Sequence, residues 1–480
     1  MVRQLFRNAD WIVAWDAASG RHAYQRHADL VIEDGRILHL GHGYQPRGDE
    51  AVTEAAGMMI SPGFVDIHSH LSLEPINKGY TDETGSPALY NSNLYEYMPT
   101  MVGDAESLPD QTRMACAELL MSGVTTIVDM SVRHDSWIEV MADSGLRACI
   151  APLFREATWF TRTGHVVEYD WNRDAGFAEM EAALDIIARA EAHPSGRLFG
   201  MMTPAQIDTC SPELIRATHA AAEARGLVWQ IHAAQSVPEF HEITRRHGVS
   251  PIRWLHDLGV LGPKTIVGHG IFLDDHPSTP WGSRDRDLAL LAESGATVAH
   301  CPTVFWRRGM ALQDFGRYLR AGVNMGIGTD TYPHNMVEEM RHVGMLARLT
   351  GGRPHTVSTA EVFDAATMGG ARALHRDDIG RLAPGCRADF FMVDMAHPLM
   401  NPARDPLRSL VYAAADRAIA HVFVDGRQVV RDGVVQTIDL AAAAAAVNRA
   451  QQRAEAEVPG RDRVAGRSGR EMSPLSFDFL

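Results

Sequence analysis

"PGFVDIHSHL", Pro62 to Leu71, is the stretch that decides how the rest of the chain is read. A Pro-Gly turn leads into an apolar, strand-like run that carries two histidines separated by one serine. Among 23 histidines in 480 residues, about one His-x-His arises by chance, so the tripeptide alone says little. Its setting says more. Alternate side chains of a strand share a face, so Asp66, His68 and His70 point the same way. Two imidazoles on one face can grip a divalent metal. Two histidines in ordinary polar contacts is the other reading of this stretch taken by itself.

From residue 62 to about 375, short apolar runs alternate with helical patterns. The runs are "GFVDIHSHL", "VTTIVDMSV", "LRACIAPLF", "RLFGMMTPA", "LVWQIHAAQ", "KTIVGHGIF", "ATVAHCPTV" and "VNMGIGTDT". Gly123, Gly145, Gly226, Gly295 and Gly322 stand where the intervening helices would stop, as a residue past a helix end should. Eight strand–helix units predict an α/β fold, a (β/α)8 TIM barrel over residues 62–375. The flanks differ. "ADLVIEDGRILHLG" holds an Asp-Gly hairpin signal, and "ADFFMVD" and "AHVFVDGRQVVRDGVV" repeat the style near the other end. Either flank alone has too little core, so residues 1–61 and 376–436 are expected to form one small β-sandwich. Residues 437–480 are expected to form an alanine-rich helix and an extended arm.

Composition narrows the function classes. A net charge of −15 disfavours a nucleic-acid partner, because phosphate binding wants a basic surface. No apolar run approaches the length of a membrane span. The first residues carry no signal-peptide core, and the five cysteines are scattered without a CxxC. These features suit a cytoplasmic protein with a small-molecule substrate.

In a barrel of this kind, chemistry sits at the C-terminal strand ends. The first strand candidate ends in His68 and His70, the fifth in His232, the sixth in His269 and the eighth in Asp330. Any one of them has an ordinary structural reading; together they make a metal centre on one barrel face. The stretches "SPGFVDIHSHL", "IHAAQS", "VGHG" and "GIGTDT", with "IGRLAPGCRADFFMVD" at the return to the β domain, resemble the amidohydrolase superfamily over nearly the whole chain. Within it they look most like the branch of chlorohydrolases, triazine hydrolases and aminohydrolases. The resemblance implies that His68, His70, His232 and Asp330 are metal ligands, and that His269 sits beside the attacking water or the substrate carbonyl. Asp330 would then accept the water's proton and pass it on. Some relatives hold a second metal through a carboxylated lysine on the fourth strand. Only Lys78 and Lys264 occur here, and "RLFGMMTPAQIDTC" has no lysine. One divalent metal per subunit is expected, Zn2+ first, with Fe2+, Mn2+ or Co2+ also suited to these ligands.

Two departures bear on substrate. Aminohydrolases of the branch show His-x-x-Glu on strand five, where this chain has "HAAQ" and therefore Gln235. A carboxamide can orient a group but cannot carry a proton between atoms. A substrate-contacting histidine before "SPEL" is also missing, in "PAQIDTCSPEL". Both point toward hydrolysis of an amide, urea or carbamate. An aminohydrolase or chlorohydrolase of an N-heterocycle is the first alternative, and a non-catalytic scaffold the second. The loops after strands one, three and seven are aromatic-rich. Tyr80, Trp159, Phe160 and Trp306 could line an apolar or aromatic substrate, or pack the subunit interface of an expected homo-oligomer. Arg307, Arg308 and His334 could hold an anionic group.

Overall fold

The structure is a computed structural model that describes residues 3–282 and 284–479. Eight parallel strands occur in the eight apolar runs: β1 (Phe64–Ser69), β2 (Val124–Asp129), β3 (Arg147–Ile150), β4 (Leu198–Gly200), β5 (Trp229–Ala233), β6 (Thr265–His269), β7 (Thr297–His300) and β8 (Asn324–Ile327). They form two four-stranded sheets, β4-β3-β2-β1 and β5-β6-β7-β8. Single parallel bridges join the sheets at both seams, Ser69 to Asp330 on one side, Met202 to Trp229 and Gln206 to His232 on the other.

These runs are continuously apolar because both faces are covered. Neighbouring residues of one strand fall alternately into two packed clusters. Val128, Cys149, Ile266 and Ala299 join one cluster. Ile127, Ile150, Val267 and Val298 join a larger one with the surrounding helices. Helix stops follow the glycines: Gly226 closes Pro212–Arg225 at φ 69° and Gly322 closes Phe315–Ala321 at φ 89°, a conformation that costs other residues more.

The two chain ends meet in the flanking sheets. Met58–Pro62 pairs antiparallel with Phe390–Asp394, Ile60 opposite Met392, inside a seven-stranded sheet. Gln4–Ala9 and Ala28–Glu33 belong to a four-stranded sheet. Phe6, Ile12, Leu30, Ile60, Phe390 and Phe423 form one shared core, with the Phe6 ring edge-on to Phe390 and Phe423 at 5.1 Å each. Neither end could bury these side chains without the other.

Arg147, 1% exposed at the start of β3, ties this core to the parallel strands. Its Nε donates to Asp389 Oδ2 at 2.9 Å and one terminal nitrogen to Asp425 Oδ1 at 2.5 Å. Arg147→Met is expected to cost about 3–5 kcal/mol, because it leaves the buried Asp389 charge unpaired. Urea denaturation should show it, and Arg147→Met combined with Asp389→Leu should recover part of the loss.

The C-terminal helix Leu440–Arg461 buries Ala443, Val447, Ala450, Ala454 and Val458, one stripe at helical spacing. The arm beyond it is not extended. Arg467 bonds Asp462 at 2.9 Å and Glu96 at 2.7 Å, and Met472 packs with Ile76 and Tyr80. The paired charges and one apolar anchor fold the arm back over the loop that follows β1. Among the described residues no helix is long and apolar enough to cross a membrane.

Candidate active site

Five side chains converge where β1, β5, β6 and β8 end. His70 Nε2 lies 3.3 Å from Asp330 Oδ1 and 3.3 Å from His232 Nε2. His68 Nε2 lies 3.7 Å from Asp330 Oδ1, and His269 Nε2 3.6 Å from Asp330 Oδ2. The backbone brings these ends together: Asp330 N donates to His68 O at 2.8 Å, and His70 N to Asp330 O at 3.0 Å. Asp66 reinforces the join, accepting from Thr329 Oγ1 at 2.7 Å and His68 N at 3.1 Å. Gly268 is required by crowding. A Cβ there would stand 2.6 Å from His68 Cε1.

The imidazoles are held from behind. The Nδ1 atoms of His68, His70 and His232 face Gln230 Oε1 at 2.6 Å, Met130 O at 2.5 Å and Ala205 O at 2.6 Å. Each Nδ1 therefore carries the hydrogen, and each Nε2 presents a lone pair to the centre, the arrangement that metal-binding histidines use. His68 Nε2 is buried with no hydrogen-bond partner. Burial, then neighbouring histidines, hold His68 and His269 well below the ordinary imidazole pKa and His232 down to about 3. Neutral imidazoles and a carboxylate are the forms a metal needs. The ligand atoms of His68, His70 and His232 lie within 4.8 Å of one another, as do those of His68, His269, Cys301 and Asp330. This donor set fits one divalent metal.

A cavity of about 590 Å3 opens over the cluster, within the usual size of small-molecule sites. His70, His232, Gln235, His269 and Asp330 lie on its wall, with Trp159, Phe160 and Arg308. Gln235 is 4% exposed, and its Nε2 is buried without a partner. The structure places other expected substrate residues elsewhere. Tyr80 is buried under the C-terminal arm in a cluster with Ile76, Met101 and Met472. Trp306 is 46% exposed and packs beside His342. His334 is fully buried, 3.5 Å from Glu118. Arg307 is spent on Asp82 and the Tyr332 carbonyl.

The sequence reading missed four residues. Phe305 lines the cavity, edge-on to His269 with ring centroids 4.7 Å apart; it precedes Trp306 on the helix Pro302–Trp306, and adjacent helical residues point in different directions. Gln206 and Glu74 also line the cavity. Cys301 sits buried beside the cluster. "PAQ" and "LEP" carry no local signal for this, but the bridge of Gln206 to His232 does place it, once the fold is known.

The sequence profile of the amidohydrolase family matches residues 59–429. The chain is 29% identical over 421 residues to a 5'-deoxyadenosine deaminase of Methanothermobacter thermautotrophicus, covering 86% of this chain and 92% of that one. It is 29% identical over 447 residues to a 5-methylthioadenosine/S-adenosylhomocysteine deaminase of Natronomonas pharaonis, covering 91% and 95%. Among solved structures, a zinc-bound adenosine deaminase from Xanthomonas campestris aligns over 95% of this chain and 99% of that one, with a TM-score of 0.75 at 21% identity. An atrazine chlorohydrolase from Arthrobacter aurescens aligns over 94% and 100%, with a TM-score of 0.76 at 19% identity. The convergent imidazoles, the parallel strands that carry them and a family match across that whole region lead to one assignment: the chain belongs to the amidohydrolase family, hydrolases of carbon–nitrogen bonds outside peptides.

Proposed function

We propose that the protein is a zinc-dependent aminohydrolase that removes the exocyclic amine of a small N-heterocycle, with a purine nucleoside the leading candidate. The observation that carries this reading is the similarity to nucleoside deaminases along nearly the full chain. The amide, urea or carbamate expected from Gln235 and from the missing histidine before "SPEL" is less well supported, because it rests on two local departures. The same reading takes the eight parallel strands as one closed barrel and the two flanking sheets as a sandwich.

His68, His70, His232 and Asp330 would hold the metal, their ligand atoms already gathered at one point. A zinc ion bound by these residues would supply an acidified water and polarisation of the carbon that bears the amine. Asp330 takes the water's proton and delivers it to the leaving nitrogen. His269, tilted against Phe305, stabilises the oxygen that bonds to carbon. Trp159, Phe160 and Phe305 clasp the flat ring. The Gln206 and Gln235 carboxamides bind its edge, since each can both donate and accept.

Ammonia release from a panel of aminated purines, pyrimidines, triazines and their nucleosides tests this. The expected result is ammonia from at least one member with kcat/KM of about 10^4 M−1 s−1 or more, an ordinary enzyme value. Release of an amine from amides or ureas, with no ammonia from any heterocycle, would overturn it.

A further inference from the structure

Buried carboxylates in this protein are almost all tied down. Asp129 accepts from Trp137 Nε1 at 2.7 Å and Leu71 N at 3.2 Å. Glu239 accepts from the backbone N–H of Ala234 and Gln235. Asp66 is held by Thr329 and His68. Glu74 is the exception beside the cluster. It is 2% exposed, its carboxyl makes no hydrogen bond or ion pair among the described residues, and it lies on the cavity wall with His70, Gln235, His269 and Asp330. A carboxyl free of protein partners on a cavity wall is available to whatever enters the cavity.

Its position is built. Leu73 N turns back to His70 O at 3.1 Å, and Glu74 caps the short helix Pro75–Asn77. Ile76 N donates to Gln111 Oε1 at 3.3 Å, while Gln451 Nε2 donates to the carbonyls of Ile76 and Lys78 at 2.7 and 2.8 Å. The loop is thus fixed from two helices, and its one unpaired carboxyl faces the site. On strand five, the family's carboxyl is absent and Gln235 stands in its place.

We propose that Glu74 is the proton-carrying carboxyl of this site, a catalytic residue that does from the loop after β1 what Gln235 cannot do from the loop after β5. This rests on the aminohydrolase reading above. Protonated Glu74 gives its proton to the ring nitrogen beside the reacting carbon as the C=N electron pair moves onto that nitrogen. The water oxygen bonds to carbon, and Asp330 takes one water proton. Asp330 then returns that proton to the amino group, and the C–N bond breaks to release ammonia. The second water proton passes from the new hydroxyl to Glu74 as the carbonyl forms. Substrate and one water thus become a ring N–H, a carbonyl and ammonia, with both carboxyls restored. Burial, followed by the nearby Asp330 charge, pushes Glu74 up to about 8, toward the protonated form that donates.

The test is a carboxyl swap in the zinc-loaded protein. Glu74→Gln should keep full metal content and an unchanged melting temperature, lose at least 100-fold in kcat and change KM less than threefold. Gln235→Glu added to Glu74→Gln should regain at least tenfold in kcat. Should Glu74→Gln lose metal or unfold, Glu74→Asp replaces it, with the same kcat loss and a shifted pH profile expected. A second readout needs no turnover: a water-soluble carbodiimide at pH 7 should label Glu74, located by peptide mapping. A Glu74→Gln variant within threefold of wild-type kcat, or an unlabelled Glu74, would overturn the proposal. The swap is read on whichever substrate the wild-type protein hydrolyses. If that is an amide and no heterocycle releases ammonia, the proposed function fails while Glu74 is still judged by its own loss of kcat.

Discussion

His68→Ala and His232→Ala are each expected to yield folded protein with well under one metal per chain and no measurable turnover. Each imidazole is aimed at the centre by an acceptor behind its Nδ1, and metal bound by three imidazoles and one carboxylate loses a large share of its binding when one is removed. Elemental analysis of the purified variants, alongside their circular dichroism, checks this. Gln230→Leu provides a graded companion. It removes the acceptor that orients His68, together with the Gln230 Nε2 bond to Ile67 O, and is expected to weaken metal binding about 10–100-fold. Full occupancy in both histidine variants would remove them from the ligand set. A content near two metals per active chain would overturn the single-metal reading.

Asp330→Asn is expected to cost about 1,000-fold or more in kcat. The carboxylate lies between His70 and His269, where it can both bind metal and accept a proton; a carboxamide at that place accepts no proton. A stopped assay of product formation with metal held in excess separates lost chemistry from lost metal. Turnover near wild type under those conditions would exclude Asp330 from proton transfer. In the wild-type protein, activity should fall on the acid side, because protonated imidazoles cannot hold the metal. The apparent midpoint belongs to the coupled cluster rather than to one residue.

The main substrate question turns on proton supply. A reading confined to strand five sees a carboxamide at 235 and infers an acyl substrate. The deaminase relatives favour a heterocycle, and Glu74 offers a carboxyl from a loop that no strand-five pattern covers. The Glu74 and Gln235 swap therefore bears on mechanism, while the ammonia panel bears on substrate.

What the sequence determined by itself was local. Eight apolar runs became eight parallel strands because a strand buried on both faces must be apolar throughout, and the glycines stopped the helices between them through their tolerance of positive φ. The histidines and Asp330 were legible because strand ends on one side of such a fold must meet. Cavity walls were not legible, since a loop side chain points where distant partners hold it. Phe305 rather than Trp306 faces the site because the helix Pro302–Trp306 turns the first inward and leaves the second exposed. Tyr80 went under the arm because Met472, far along the chain, covers it. His334 was drawn to Glu118, which also pairs with Lys78. Glu74 stayed free beside the cluster because Gln111 and Gln451, from two helices remote in sequence, pin its loop there. Only the tertiary structure could bring those partners together, because the contacts that aim these side chains span from tens to hundreds of residues.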